Sequence, residues 1–165
     1  MRLYTESIIA RIQFVFGGYG VARAKTYDYA DKWKPGAPGV SRYLAAVGEW
    51  EGVFINLQVI YDLLGNCFGA NISGREDRAR LIANRIKHVS EDIKCGKLNG
   101  PGLPMWLTKD GFATISASMT FEEMEGQVRL LAKVADCLSV PADAKNRFAT
   151  LDSALAGDPN YSLTT

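Results

Sequence analysis

The chain has 165 residues, 47% of them hydrophobic and 22% charged, with a formal net charge of +1. This length and apolar content supports one domain with a core of its own and excludes a disordered tail. The near-neutral balance supplies no global attraction to nucleic acid or anionic lipid.

In chain order, Thr5 or Ser7 can cap a first helix whose Ile8, Ile9, Ile12, Val15 and Phe16 share one face. Arg11 and Gln13 break that apolar stretch and no small-residue cleavage pattern follows, so it does not read as a secretion signal. No run approaches the roughly 18 apolar residues of a membrane span. Gly17-Gly18-Tyr19-Gly20 is expected to end the helix. It leads into a polar, aromatic stretch from Val21 to Gly39, with Lys34-Pro35-Gly36-Ala37-Pro38-Gly39 as a loop.

Residues 40–64 fit two patterns. Val40, Leu44, Val47, Phe54, Leu57, Tyr61 and Leu64 lie close to helical spacing, whereas Val53, Ile55, Leu57, Val59 and Tyr61 alternate as a strand does. Gly48 and Gly52 each cost a helix interior about 1 kcal/mol. The expectation is a short helix over Ser41–Trp50 and a strand over Val53–Tyr61, with one long helix as the alternative. A turn at Asp62–Asn66 then leads to a second strand, Cys67–Ile72.

Ser73 with Glu76 forms a capping-box pattern opening a helix to about Glu91, with Ala79, Ile82, Ala83, Ile86 and Val89 on its buried face and a Glu76–Arg80 pair outside. Gly96, Gly100, Pro101, Gly102 and Pro104 interrupt the next stretch. Met105-Trp106-Leu107 and Phe112–Met119 then flank Thr108-Lys109-Asp110-Gly111, whose Asp-Gly pair signals a hairpin. Thr120 and Glu123 make a second capping box, with Met119 and Met124 at staple spacing. The helix it opens, Phe121–Leu138, should bury Met124, Val128, Leu131, Ala135 and Leu138 and stop at Val140-Pro141. A short helix over Ala144–Leu155 and a flexible tail over 157–165 complete a single α+β domain, residues 1–156.

The chain offers little reactive chemistry. His88 is the only histidine, and no motif places a nucleophile beside it. Cys67, Cys95 and Cys137 are odd in number and scattered, which suits small buried hydrophobes in a reducing, cytoplasmic setting rather than a disulfide framework or a zinc site. Gly17, Gly18 and Gly20 invite a phosphate-loop reading, but Arg23 stands where a dinucleotide fingerprint needs a small residue, and no Gly-Lys-Ser/Thr follows. Asp28 with Asp31, and Glu49 with Glu51, read as solvated surface charge. No catalytic, cofactor or metal site is therefore expected. Tyr19–Lys34 interleaves Tyr19, Tyr27, Tyr29 and Trp33 with Arg23, Lys25, Lys32 and Lys34, as single-stranded nucleic-acid binders do. Asp28 and Asp31 offset half of that charge.

From Val53 onward, the order strand, strand, helix, hairpin, capped helix resembles the type III secretion chaperone-like fold, which includes bacterial secretion chaperones and the YbjN family. The parts that carry it are Val53–Tyr61, Arg75–Glu91, the Gly-rich Gly96–Leu103, Leu107–Gly111 and Phe121–Leu138. The near-neutral charge and the long aromatic N-terminal segment depart from that pattern.

The fold expected is α+β, an antiparallel sheet packed against two amphipathic helices, preceded by an N-terminal helix and an aromatic-basic loop. The function expected is non-catalytic binding of a protein partner, as adaptor, chaperone or inhibitor, with homodimerisation compatible. The candidate contacts are Tyr27, Tyr29, Lys32, Trp33, Lys34 and Trp106. The alternative is an RNA- or DNA-binding accessory protein using residues 19–34.

Overall fold

The computed structural model describes residues 2–32, 39–69, 76–98, 102–140 and 142–156. Two long helices, α1 (Arg2–Lys32) and α2 (Gly39–Phe68), pack along each other. Then come α3 (Glu76–Lys87), α4 (Val89–Lys94) and a small sheet of β1 (Trp106–Leu107), β2 (Gly111–Ala113) and β3 (Ser118–Thr120). α5 (Phe121–Leu138) and α6 (Ala144–Ala156) close the fold. The protein is mostly helical, with one three-stranded antiparallel sheet in the order β1-β2-β3.

The expected break after Phe16 is absent, because the inward stripe of α1 runs straight through the glycines. Thr5, Ile8, Ile12, Val15, Tyr19, Ala22 and Thr26 recur in steps of three and four, and all are buried or half-buried. Packing overrides the cost of glycine in a helix interior. Gly18 also has a packing role: a Cβ there would lie 3.3 Å from Val53 Cγ2. The aromatic-basic segment is thus the second half of a helix, not a loop, up to Lys32; residues 33–38 lie outside the described residues.

The expected strand at Val53–Tyr61 is likewise helix, as is the start of the Cys67–Ile72 strand; residues 70–72 lie outside the described residues. α2 buries Trp50, Val53, Phe54, Leu57, Ile60, Tyr61 and Leu64, and packs Ile55 and Leu63 partly against the same core. A helix apolar on nearly every side mimics period-two alternation, and its burial explains the composition. Val53–Tyr61, the first of the elements on which the chaperone-like resemblance rests, is therefore not a strand.

Downstream, the periodic faces form as expected. Ala79, Ile82, Ala83 and Ile86 are buried on α3, although the helix breaks at His88 and restarts as α4. Ser73 lies outside the described residues, and Arg80 faces Asp62 on α2 at 3.8 Å. The Asp110-Gly111 hairpin is present, with Leu107 opposite Phe112. The second expected strand is split in two: Thr114 is tied to Ala117 in a turn, its hydroxyl accepting from the amides of Ser116 (3.2 Å) and Ala117 (3.0 Å). At Gly111, a Cβ would collide with the backbone of Met119 and Thr120, so close approach of the strands requires glycine there.

α5 begins where the sequence places it. The Thr120 hydroxyl accepts from the Glu123 amide (3.1 Å), and the Glu123 carboxylate accepts from the Thr120 amide (2.8 Å). The Phe121 amide donates to the Asp110 carbonyl (2.9 Å), which fastens the hairpin to the first turn of the helix. Arg78 adds a 2.6 Å ion pair with Glu123, joining α3 to α5. Phe112 carries the sheet into the core, with its ring 4.6 Å from Trp50, 5.2 Å from Phe54 and 4.9 Å from Phe121, centroid to centroid.

Candidate functional site

Where the second half of α1 passes the start of α5, a cleft of about 250 Å³ opens. Its floor is Trp50 from α2, which is 1% exposed, with Tyr19 and Phe121 at the sides. Tyr19 meets Trp50 edge-on at 5.6 Å. Because α1 remains helical, Tyr19, Arg23 and Tyr27 stand four residues apart on one face. The Arg23 guanidinium carbon lies 5.5 Å from the Tyr19 ring centre and 5.9 Å from that of Tyr27. Two electron-rich faces thus hold the cation at the mouth of the cleft, with an Arg23–Tyr27 hydroxyl contact of 3.5 Å. Among the described residues Arg23 has no ion pair.

The opposite wall is acidic. Glu122 and Glu125 come from the first turns of α5; Glu125 is bound to Arg129 at 2.6 Å, and Glu122 is exposed. Thr26 lines the cleft with a fully engaged hydroxyl: it donates to the Ala22 carbonyl (2.8 Å) and accepts from Trp50 Nε1 (2.9 Å). The cleft thus holds an apolar base, a pre-positioned guanidinium and a carboxylate rim.

Of the candidate contacts named from the sequence, Tyr27 is the one that lines this cleft among the described residues, with 65% of its surface exposed, and Tyr19 and Arg23 of the same aromatic-basic segment line it too. Tyr29 turns to Tyr43, ring centres 5.3 Å apart, on the α1–α2 side. Lys32 pairs with Asp28, and this hydrogen bond holds the Asp28 carboxyl below its ordinary range. Trp106 is exposed on the edge strand β1, whose Leu107 amide donates to the Tyr43 hydroxyl (3.1 Å) and so is closed to a further strand. Trp33 and Lys34 lie outside the described residues. Thr26, Trp50, Phe121, Glu122 and Glu125 were missed. The Tyr19-x3-Arg23-x3-Tyr27 spacing would have pointed to the site had the helix been followed through the glycines.

His88 is exposed, with Nδ1 3.1 Å from Glu91. Cys95 is exposed, Cys67 half-buried and Cys137 buried, and burial raises the Cys137 thiol pKa. Among the described residues, no group of three or more His, Cys, Asp or Glu is placed to hold a metal ion, and no helix is long and apolar enough to cross a membrane.

A second, shallower hollow of about 570 Å³ lies between α5 and α6, lined by Lys133, Cys137, Leu151 and their neighbours. Its Arg147 and Asp136 pair with each other at 2.8 Å, so it offers less unsatisfied charge than the Arg23 cleft. Comparison with protein-family models, with curated proteins and with solved structures found no match to the chain.

Proposed function

We propose that this protein is a non-catalytic binding module for another protein. In this reading an apolar side chain of the partner sits in the cleft, and an acidic residue beside it engages Arg23. The observation that carries the proposal is the guanidinium stacked on two tyrosines at the mouth of an aromatic cleft, with no ion pair among the described residues. Stacking pre-organises its donors for a carboxylate, and the aromatic rings beside it suit an aromatic or aliphatic anchor. A volume of about 250 Å³ is smaller than the usual small-molecule pocket and close to that of one large side chain.

The alternative of nucleic-acid binding draws less support. Lys25 is paired with Glu49 and Lys32 with Asp28, so two of the cations it would use are already neutralised. Selection from a random peptide library displayed on phage separates the two readings. The proposal expects enrichment of peptides with an acidic residue next to Phe, Leu or Trp, and loss of binding in a folded Arg23→Ala variant. Enrichment of basic peptides, or tight binding of single-stranded oligonucleotides at physiological salt, would overturn it.

A further inference from the structure

Each wall of the Arg23 cleft carries several charges, and each leaves one of them unmatched. The start of α5 supplies Glu122, Glu123 and Glu125. Glu123 is matched by Arg78 at 2.6 Å, and Glu125 by Arg129 at 2.6 Å. Glu122 is exposed, lines the cleft and has no ion pair among the described residues. On the stretch of α1 that forms the other wall, Lys25 is matched by Glu49 and Lys32 by Asp28. Arg23, which also lines the cleft, is not matched by a carboxylate among the described residues.

The two unmatched charges are opposite in sign, yet they do not pair with each other. The Arg23 guanidinium is held instead over Tyr19 and Tyr27, 5.5 Å and 5.9 Å from their ring centres. The cleft floored by Trp50 lies between the two walls. The α5 dipole favours a negative charge in its first turn, so Glu122 is stable there without a cation of its own and is free to meet one from outside.

We infer that the partner segment is amphoteric. Besides the apolar anchor and the acidic residue that engages Arg23, it carries a Lys or Arg on the far side of the anchor, which engages Glu122. This rests on the reading of the cleft as a protein-binding site and adds the chemistry of its second wall. A segment bearing acid alone sets its carboxylate near Glu122 and Glu125 as well as near Arg23. A basic residue toward α5 offsets that repulsion and fixes which way round the segment lies, because each wall attracts one sign and repels the other. Both charges are exposed, so a single added pair strengthens binding only modestly, by about threefold.

Synthetic peptides with blocked ends test this. They carry Phe in a Gly-Ser frame, Asp on one side of it and Lys, Gln or Asp on the other, one or two positions away and in both orders. Their Kd values follow from fluorescence anisotropy. Asp–Lys peptides of one order should bind about threefold or more tighter than Asp–Gln peptides, and Asp–Asp peptides should bind weakest. Glu122→Gln should erase the advantage of Lys over Gln without weakening the Asp–Gln peptides. Glu122→Lys should invert the ranking, with Asp–Asp tightest. Glu91→Gln, the same change of charge on exposed α4, should keep the ranking of the unaltered protein. Equal binding of Asp–Gln and Asp–Lys, or a ranking that survives Glu122→Gln, would overturn the inference while leaving the cleft a site for an acid beside an apolar residue. If no peptide with Asp near Phe binds, or a folded Arg23→Ala variant binds them all as well as before, the protein-binding reading falls and this inference falls with it.

Discussion

Glu51 and Glu123 ionise under opposite constraints, and the contrast yields a test at single residues. Burial alone raises the pKa of Glu51, so the folded state favours its protonated form. Its contribution to stability is present below the ordinary carboxylate range and is lost as pH rises through the elevated folded value. Glu51→Gln should therefore raise the melting temperature near neutrality, with the gain shrinking toward about pH 4. Glu123 is the reverse case. Burial opposes its charge, but the Thr120 amide, Arg78 and the Thr120 hydroxyl outweigh it and lower the pKa. Its contribution is present above the ordinary range and lost as pH falls through the depressed folded value. Glu123→Gln should destabilise at neutral pH, and the loss should fade in acid. A melting series across pH checks both signs. Thr120→Ala should cost about 1 kcal/mol through the cap, read as a lower denaturation midpoint, with partner binding unchanged. Trp50, 1% exposed and in contact with Tyr19, Phe112 and Phe121, should cost about 3–5 kcal/mol as alanine.

At the scale of elements, local chemistry is legible wherever it decides the outcome. The Thr120 capping box, the Asp110-Gly111 hairpin and the buried faces of α3 and α5 can be read directly, because side-chain–backbone bonds and one-sided burial leave clear signals. The two long helices cannot be read so simply. α1 carries three glycines in its interior and α2 is apolar on nearly every side, so their state is set by mutual packing that no local window contains. The same packing decides whether the site is visible: as a loop, residues 19–34 show only composition, whereas as a helix they align Tyr19, Arg23 and Tyr27. Far-UV circular dichroism should accordingly give a strongly helical spectrum, and one dominated by strand would contradict this architecture. The glycines themselves differ by location. Gly111→Ala should destabilise by about 2 kcal/mol, because the strand backbones leave no room. Gly48→Ala should stabilise by up to about 1 kcal/mol, because its Cβ meets open space.

For the whole molecule, the charge pattern is the ground for proposing a protein partner rather than nucleic acid. The chain is nearly neutral, and Lys25, Lys32, Arg78 and Arg129 are matched by carboxylates; in the proposed reading, recognition falls to the stacked Arg23 at the cleft. Site-specific photo-crosslinking addresses this most directly, with a photoreactive phenylalanine at Tyr27 in the cells that naturally make the protein, and a control at exposed Ile93. The account predicts a discrete protein adduct from Tyr27, joined at a segment with an acidic residue beside an apolar one. That adduct should be lost on Arg23→Ala and absent from the Ile93 control. Adducts to nucleic acid, or a Tyr27 adduct that persists in a folded Arg23→Ala variant, would contradict it.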